Sequence, residues 1–177
     1  GSTGAHRQVF MRDRLTGEVY LVSSNAAGME GDGDSGAPAI SADGLTVAFE
    51  SVAKNLVAGD TNDAKDVFVW DIHGTVQAGV TRVSVADGGG EYAAASGVPS
   101  LSGDGKVVVF ETRQSNLTTN GDGGSAVVRR DLVAKSTTLL SKDGSGKALD
   151  SFWPMTSEDG KRIVFYAPIG APEGPEK

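Results

Sequence analysis

The sequence predicts an all-β chain built from repeated four-stranded antiparallel units, and three observations carry that expectation. A Ser-x-Asp-Gly segment followed by an apolar run ending in Phe occurs three times, over residues 41–49, 102–110 and 157–165. Its Asp-Gly steps fall at Asp43, Asp104 and Asp159, and a proline stands five residues before each, at Pro38, Pro99 and Pro154. No stretch sustains apolar residues at helical spacing. A unit repeated at a near-constant interval cannot bury its apolar face alone and does so by stacking on its neighbours.

Each repeat reads as four strands, A to D. Strand A runs from the proline to the Asp-Gly turn. Asp-Gly between two apolar runs predicts a hairpin of type I′, with positive φ at both central residues. Strand B follows the turn, and Lys106-Val107-Val108-Val109-Phe110 is apolar on both faces, as a strand covered on both sides must be. Strand C ends in Asp, at residues 8–13, 66–71 and 126–131. Strand D closes near a serine, at residues 18–23, 80–84 and 137–141, and a Gly-rich polar loop then leads to the next proline. Four short antiparallel strands per repeat, arrayed radially, make a β-propeller blade.

Strand count adds a further expectation. The order is C-D over residues 8–23, two full units over 36–85 and 97–141, and A-B over 152–167. That is twelve strands, or three blades' worth, with one blade split between the two ends. Residues 1–7 form a lead whose Gly1-Ser2 reads as an expression remnant, and 168–177 form a Pro/Gly-rich tail. Propellers close with four to eight blades, so three do not make a ring. Two readings follow: a two-fold homodimer completing a six-bladed ring, or a fragment of a longer propeller.

The pattern Ser-x-Asp-Gly-apolar-Phe, then Asn55-Leu56, then Asp66-Val67-Phe68-Val69-Trp70-Asp71 resembles the WD40-like (PD40) repeats of the TolB-type β-propeller family of bacteria. The resemblance covers residues 8–167 and speaks to fold far more than to activity. It implies a scaffold role in assemblies at a bacterial envelope or in secreted material.

Composition excludes several classes. The formal net charge is −7, and no Lys/Arg cluster exceeds the Arg129-Arg130 pair, so nucleic acid is not the expected partner. The absence of cysteine excludes disulfides, thiolate metal sites and a Cys nucleophile. No apolar run reaches the roughly 18–20 residues of a membrane-spanning helix.

Function is expected on the face that carries the long D–A and B–C loops. Asp60, Asn62 and Asp66 supply oxygens at spaced positions suited to Ca2+, with Asn120 and Asp122 at the equivalent place one repeat on. Asp32, Asp34, Glu91, Tyr92, Asp150 and Trp153 are the candidate ligand-face residues, the aromatics offering contact area and a hydrogen-bonding tip. His6 and His73 do not form a triad pattern. The expected function is a non-catalytic module binding a protein, peptide or glycan, with loop-bound calcium as an accessory. The alternatives are the propeller portion of a polysaccharide- or peptide-acting hydrolase or lyase whose catalytic groups lie elsewhere, and a purely structural self-assembling half-propeller.

Overall fold

The computed structural model describes residues 6–72, 79–114 and 124–167. These form twelve strands and no helix, in four antiparallel sheets. The first sheet pairs β1 (Phe10–Arg12) with β2 (Val19–Leu21). The second contains β3 (Ser35–Ile40), β4 (Thr46–Ser51), β5 (Asp66–Asp71) and β6 (Gly79–Arg82), hydrogen-bonded in chain order. The third repeats that order with β7 (Ser96–Leu101), β8 (Val107–Thr112), β9 (Ala126–Asp131) and β10 (Ser136–Leu139). The fourth pairs β11 (Phe152–Thr156) with β12 (Ile163–Tyr166). The whole is a propeller-like series of stacked sheets, with no closed barrel among the described residues.

The B and C strands dictate the stacking. Val47, Phe49 and Phe68 leave the second sheet on one face and join Val9 and Val22 of the first. Ala48, Val67, Val69 and Val83 leave it on the other face and join Val108, Phe110 and Val128 of the third. Cross-strand partners Phe49 and Phe68 stack with centroids 5.6 Å apart. Burying a side chain of this size is worth about 1.5–3 kcal/mol, so every sheet in the series gains from a neighbour on each side. β11 continues the series by packing on β7 and β8. One backbone bond recurs at each junction: Ser35, Ser96 and Ser151 donate their N–H to the carbonyls of Arg7, Lys65 and Ser125.

The Ser-x-Asp-Gly segments form the expected hairpins with a different turn. Gly44, Gly105 and Gly160 have φ of 75°, 69° and 68°, while the preceding aspartates do not have positive φ. The Gly44 N–H donates to the Ser41 carbonyl, so Ala42 and Asp43 are the central residues and glycine follows them. This corrects the type I′ expectation: the geometry is that of type I, which favours Ser, Asp or Asn at the first position, here Ser41, and Gly at the fourth. Ser41 Oγ donates to Asp43 Oδ1 at 2.6 Å and accepts the Thr46 N–H at 3.0 Å, and Ser102 and Ser157 repeat both bonds. The three turns adjoin on one rim, where Ala42 N–H donates to Gly103 O and Gly103 N–H to Glu158 O.

Strand A begins about three residues before its proline and carries a bulge there in every copy. The residue before each proline lies in the left-handed region, with φ of 46° at Ala37, 51° at Val98 and 53° at Trp153. For a β-branched residue such as Val98 this is a strained position. It is held from outside its own sheet: Glu50 Oε2 of β4 accepts the Val98 N–H at 2.8 Å, and Glu111 Oε1 of β8 accepts the Trp153 N–H. The approach is close enough that a Cβ at Gly97 would stand 2.4 Å from Glu50 Oε2.

Ser102→Ala leaves the buried Val107 N–H without an acceptor, which is expected to cost about 1–3 kcal/mol in urea unfolding. The Ser hydroxyls are the largest influence holding Asp43, Asp104 and Asp159 below the usual carboxylate range. A carboxyl with a depressed folded pKa stabilises the fold above its unfolded value of about 3.9 and loses that contribution as pH falls through the folded value. Unfolding measured below about pH 4 should therefore show a shallower acid limb in Asp104→Asn than in the parent.

Candidate functional site

Antiparallel connectivity puts the D–A loops (22–34, 83–95, 140–151) and the B–C loop 52–65 on the rim opposite the Asp-Gly turns. The acids of these loops act as clasps. Asp32 Oδ1 accepts the N–H groups of Lys54 and Asn55, and its own N–H donates to Asn55 Oδ1. Asp34 accepts the Arg7 N–H at 2.9 Å and takes both Nε and Nη2 of that guanidinium on Oδ2. Those bonds hold its carboxyl below the usual range, the Arg7 N–H contributing most. Asp150 occupies the same place two loops later and accepts the Ser125 N–H at 2.7 Å. Gly33 lies so close beneath the rim that a Cβ would sit 2.9 Å from the backbone of Val52 and Ala53.

The densest constellation joins the B–C loop of the second sheet to the following D–A loop. Arg82 Nη1, on a side chain 10% exposed, lies 2.7 Å from Glu91 Oε2, 3.2 Å from Asp60 Oδ1 and 3.5 Å from Asp66 Oδ2. Asp66 is fully buried and also accepts from Ser84 Oγ and Asn62 Nδ2. Burial pushes the Asp66 and Asp60 carboxyls up, and the Arg82 charge opposes that rise. Glu91 is held down, chiefly by hydrogen bonds from Thr61. The guanidinium thus supplies the counter-charge of three carboxylates. Asn62 is likewise committed: its Nδ2 donates to the Tyr92 carbonyl and its Oδ1 accepts the Ala64 N–H. Behind Arg82, a cavity of about 130 Å3 between the second and third sheets is lined partly by Thr81, Arg82 and Arg130.

The eleven candidate residues of the sequence reading divide into five groups. Asp60, Asn62, Asp66 and Glu91 come together around Arg82. Asp32, Asp34 and Asp150 are separate clasps, each tying a loop to a neighbouring segment. Tyr92 corrects the expectation of an aromatic offered to a ligand: it is 3% exposed and belongs to the core between the second and third sheets. Trp153 is 63% exposed, on the bare side of the last sheet, with Tyr166 edge-on at 5.5 Å. Asn120, Asp122 and His73 lie outside the described residues. Among the described residues no group of three His, Cys, Asp or Glu side chains is arranged to hold a metal ion. Arg82 was not a sequence candidate, because nothing in strand D signals a partner 16 to 22 residues away.

Arg82→Met should destabilise the fold by about 3–5 kcal/mol, the cost of stranding buried carboxylates. Without the guanidinium, Asp60 and Asp66 rise further above their unfolded pKa values. Raised carboxyls favour the folded state at low pH and lose that contribution as pH climbs through the folded pKa. Urea titrations should therefore find the variant's deficit larger at neutral than at mildly acid pH.

No protein-family model matches the chain, and no curated protein matches it. Solved structures do. One, described as "putative TolB from Agrobacterium tumefaciens", aligns with a TM-score of 0.47 and 18% identity, over 74% of this chain and 38% of that one. The chain therefore spans well under half the length of that protein.

Proposed function

We propose that this chain is a non-catalytic protein-binding module: a run of β-propeller blades that presents its rim of long loops to a protein or peptide partner. The observation that carries the reading is the commitment of the rim's acids. Asp32, Asp34, Asp60, Asp66, Glu91 and Asp150 each serve a backbone N–H or a guanidinium. Carboxylates spent on clasps fix loops in place, because their oxygens are already committed to donors within the protein. A pre-ordered loop surface on a rigid scaffold is what recognition requires, because little ordering entropy remains to be lost on binding. The net charge of −7 favours a basic partner. The envelope or secreted setting implied by the repeat resemblance belongs to the same reading.

Calcium is a finer proposal at the same rim, and Arg82 already supplies the counter-charge of Asp60 and Asp66. A chelator that lowers the melting temperature would assign an ion to the acidic loops. Unchanged melting would leave Arg82 in that role.

The lack of cysteine makes the binding test direct. A fluorophore is attached at Ala27→Cys, on an exposed D–A loop, or at Leu15→Cys, on the opposite rim between β1 and β2. Peptides selected from a displayed library should change the emission of the first probe and leave the second silent. A response confined to the Leu15 position, or binding of glycans in an array with no peptide selected, would overturn the assignment.

A further inference from the structure

We infer that the cavity between the second and third sheets is a binding site for a small, free aromatic carboxylate. The ring lies between the sheets and the carboxylate faces Arg130 and Lys135. This inference does not depend on what the loop rim binds.

The same two places in the repeat are filled differently at successive junctions. Tyr20 pairs with Met11, two residues before Asp13, and Thr81 pairs with Val69, two residues before Asp71. Trp70 directly precedes Asp71, and Arg130 directly precedes Asp131. Tyr20 and Thr81 therefore hold one place in the repeat, and Trp70 and Arg130 hold the other. Between the first and second sheets the rings of Tyr20 and Trp70 meet, with centroids 6.1 Å apart. Between the second and third sheets a hydroxyl and a guanidinium stand in those places, and a cavity of about 130 Å3 remains. An apolar protein cavity of about 150 Å3 holds benzene. The space left is that of a ring.

The lining sets the chemistry of the occupant. Val69, Val83 and Leu132 supply apolar walls. Thr81 Oγ1 is buried with no hydrogen-bond partner among the described residues, so an occupant that brings an acceptor is favoured. The Arg130 side chain is 8% exposed, and its Nη1 donates to Thr137 Oγ1 at 2.9 Å. Its pair with the exposed Asp87 is long, at 3.7 Å, and screened by solvent.

Lys135 is exposed, and its φ of 55° lies in the left-handed region. Gly17 takes that conformation at the same place in the first sheet, where Asp13 accepts the Leu15 and Thr16 N–H groups as Asp131 accepts those of Val133 and Ala134. A lysine kept where glycine fits without strain is an outlier of the kind that gathers at ligand sites. Arg82 also lines the cavity, but its charge is matched by Asp60, Asp66 and Glu91. Arg130 and Lys135 set against Asp71 leave one positive charge in the lining, the complement of a monocarboxylate.

Benzoate is the probe, titrated into the whole chain and followed by calorimetry. It should bind with a dissociation constant below about 1 mM. Benzamide has the same shape without the charge and should bind roughly tenfold more weakly. In Arg130→Met that preference should vanish while the ring still binds. Restoring the first junction's pair, with Thr81→Tyr and Arg130→Trp in one chain, should fill the cavity and abolish binding of both compounds. No binding of benzoate by the folded parent at about 10 mM would overturn the inference. So would equal binding of the two compounds by the parent, a preference for benzoate kept in Arg130→Met, or benzoate binding left intact in the doubly substituted chain.

Discussion

The structure depends on one constraint: its central strands are apolar on both faces, so a sheet of this sequence is unfinished until it is covered twice. Ala48 and Phe49 are neighbours in β4 and both are fully buried, in two different cores. Hydrogen bonding within a sheet cannot satisfy that requirement. Only a sheet on either side does, and the chain supplies them in sequence order. This is why the repeat unit sets the architecture, and why the order of sheets in space follows the order in the chain.

Stacking alone would leave the sheets free to slide, and polar contacts remove that freedom at both rims. On one rim, backbone bonds run from turn to turn through Ala42, Gly103 and Glu158. On the other, a serine N–H bridges each junction, and the loop carboxylates reach across to neighbouring segments. Such bonds contribute modestly one by one, about 0.5–1.5 kcal/mol net, or more when an ion is involved. Their effect is geometric, since they fix the angle between successive sheets and hold the long loops in one conformation. A rim organised that way is suited to recognition.

Much of this was legible in the sequence. The apolar runs ending in Phe49, Phe110 and Phe165 and the Asp-Gly steps located the hairpins, because strand periodicity and turn chemistry act within a few residues. The turn type was not legible, since Asp43-Gly44 fits two turns that differ only in which residues are central. Bulges at Ala37, Val98 and Trp153 were invisible for a deeper reason. What holds Val98 and Trp153 is a carboxylate from the preceding sheet, 48 residues away for Glu50 and Val98. The surroundings of the candidate site were hidden in the same way. Asp60, Asn62 and Asp66 read as cation ligands because their spacing is local, while the cation that meets two of them, Arg82, arrives from strand D. Tyr92 beside Glu91 looked like an exposed polar-aromatic pair, but successive residues of an extended segment face opposite ways, and the ring went into the core.

The pre-proline bulges show how strain and charge are set against each other at the junctions. Holding a non-glycine residue in the left-handed region costs of order 1–3 kcal/mol. A hydrogen bond from its N–H to a carboxylate returns about 1.5–3 kcal/mol. The two nearly cancel, so the bulge adds little to stability by itself. What it adds is direction. The strained residue turns its N–H out of its own ladder and toward the previous sheet, so that Glu50 and Glu111 each grip the strand that follows. Glu50 also meets Lys65 Nζ at 3.0 Å, so the gripping carboxylate is itself tied to its own sheet's B–C loop. A repeat that stored no strain would have no outward N–H to offer, and its sheets would be held at this rim by apolar contact alone.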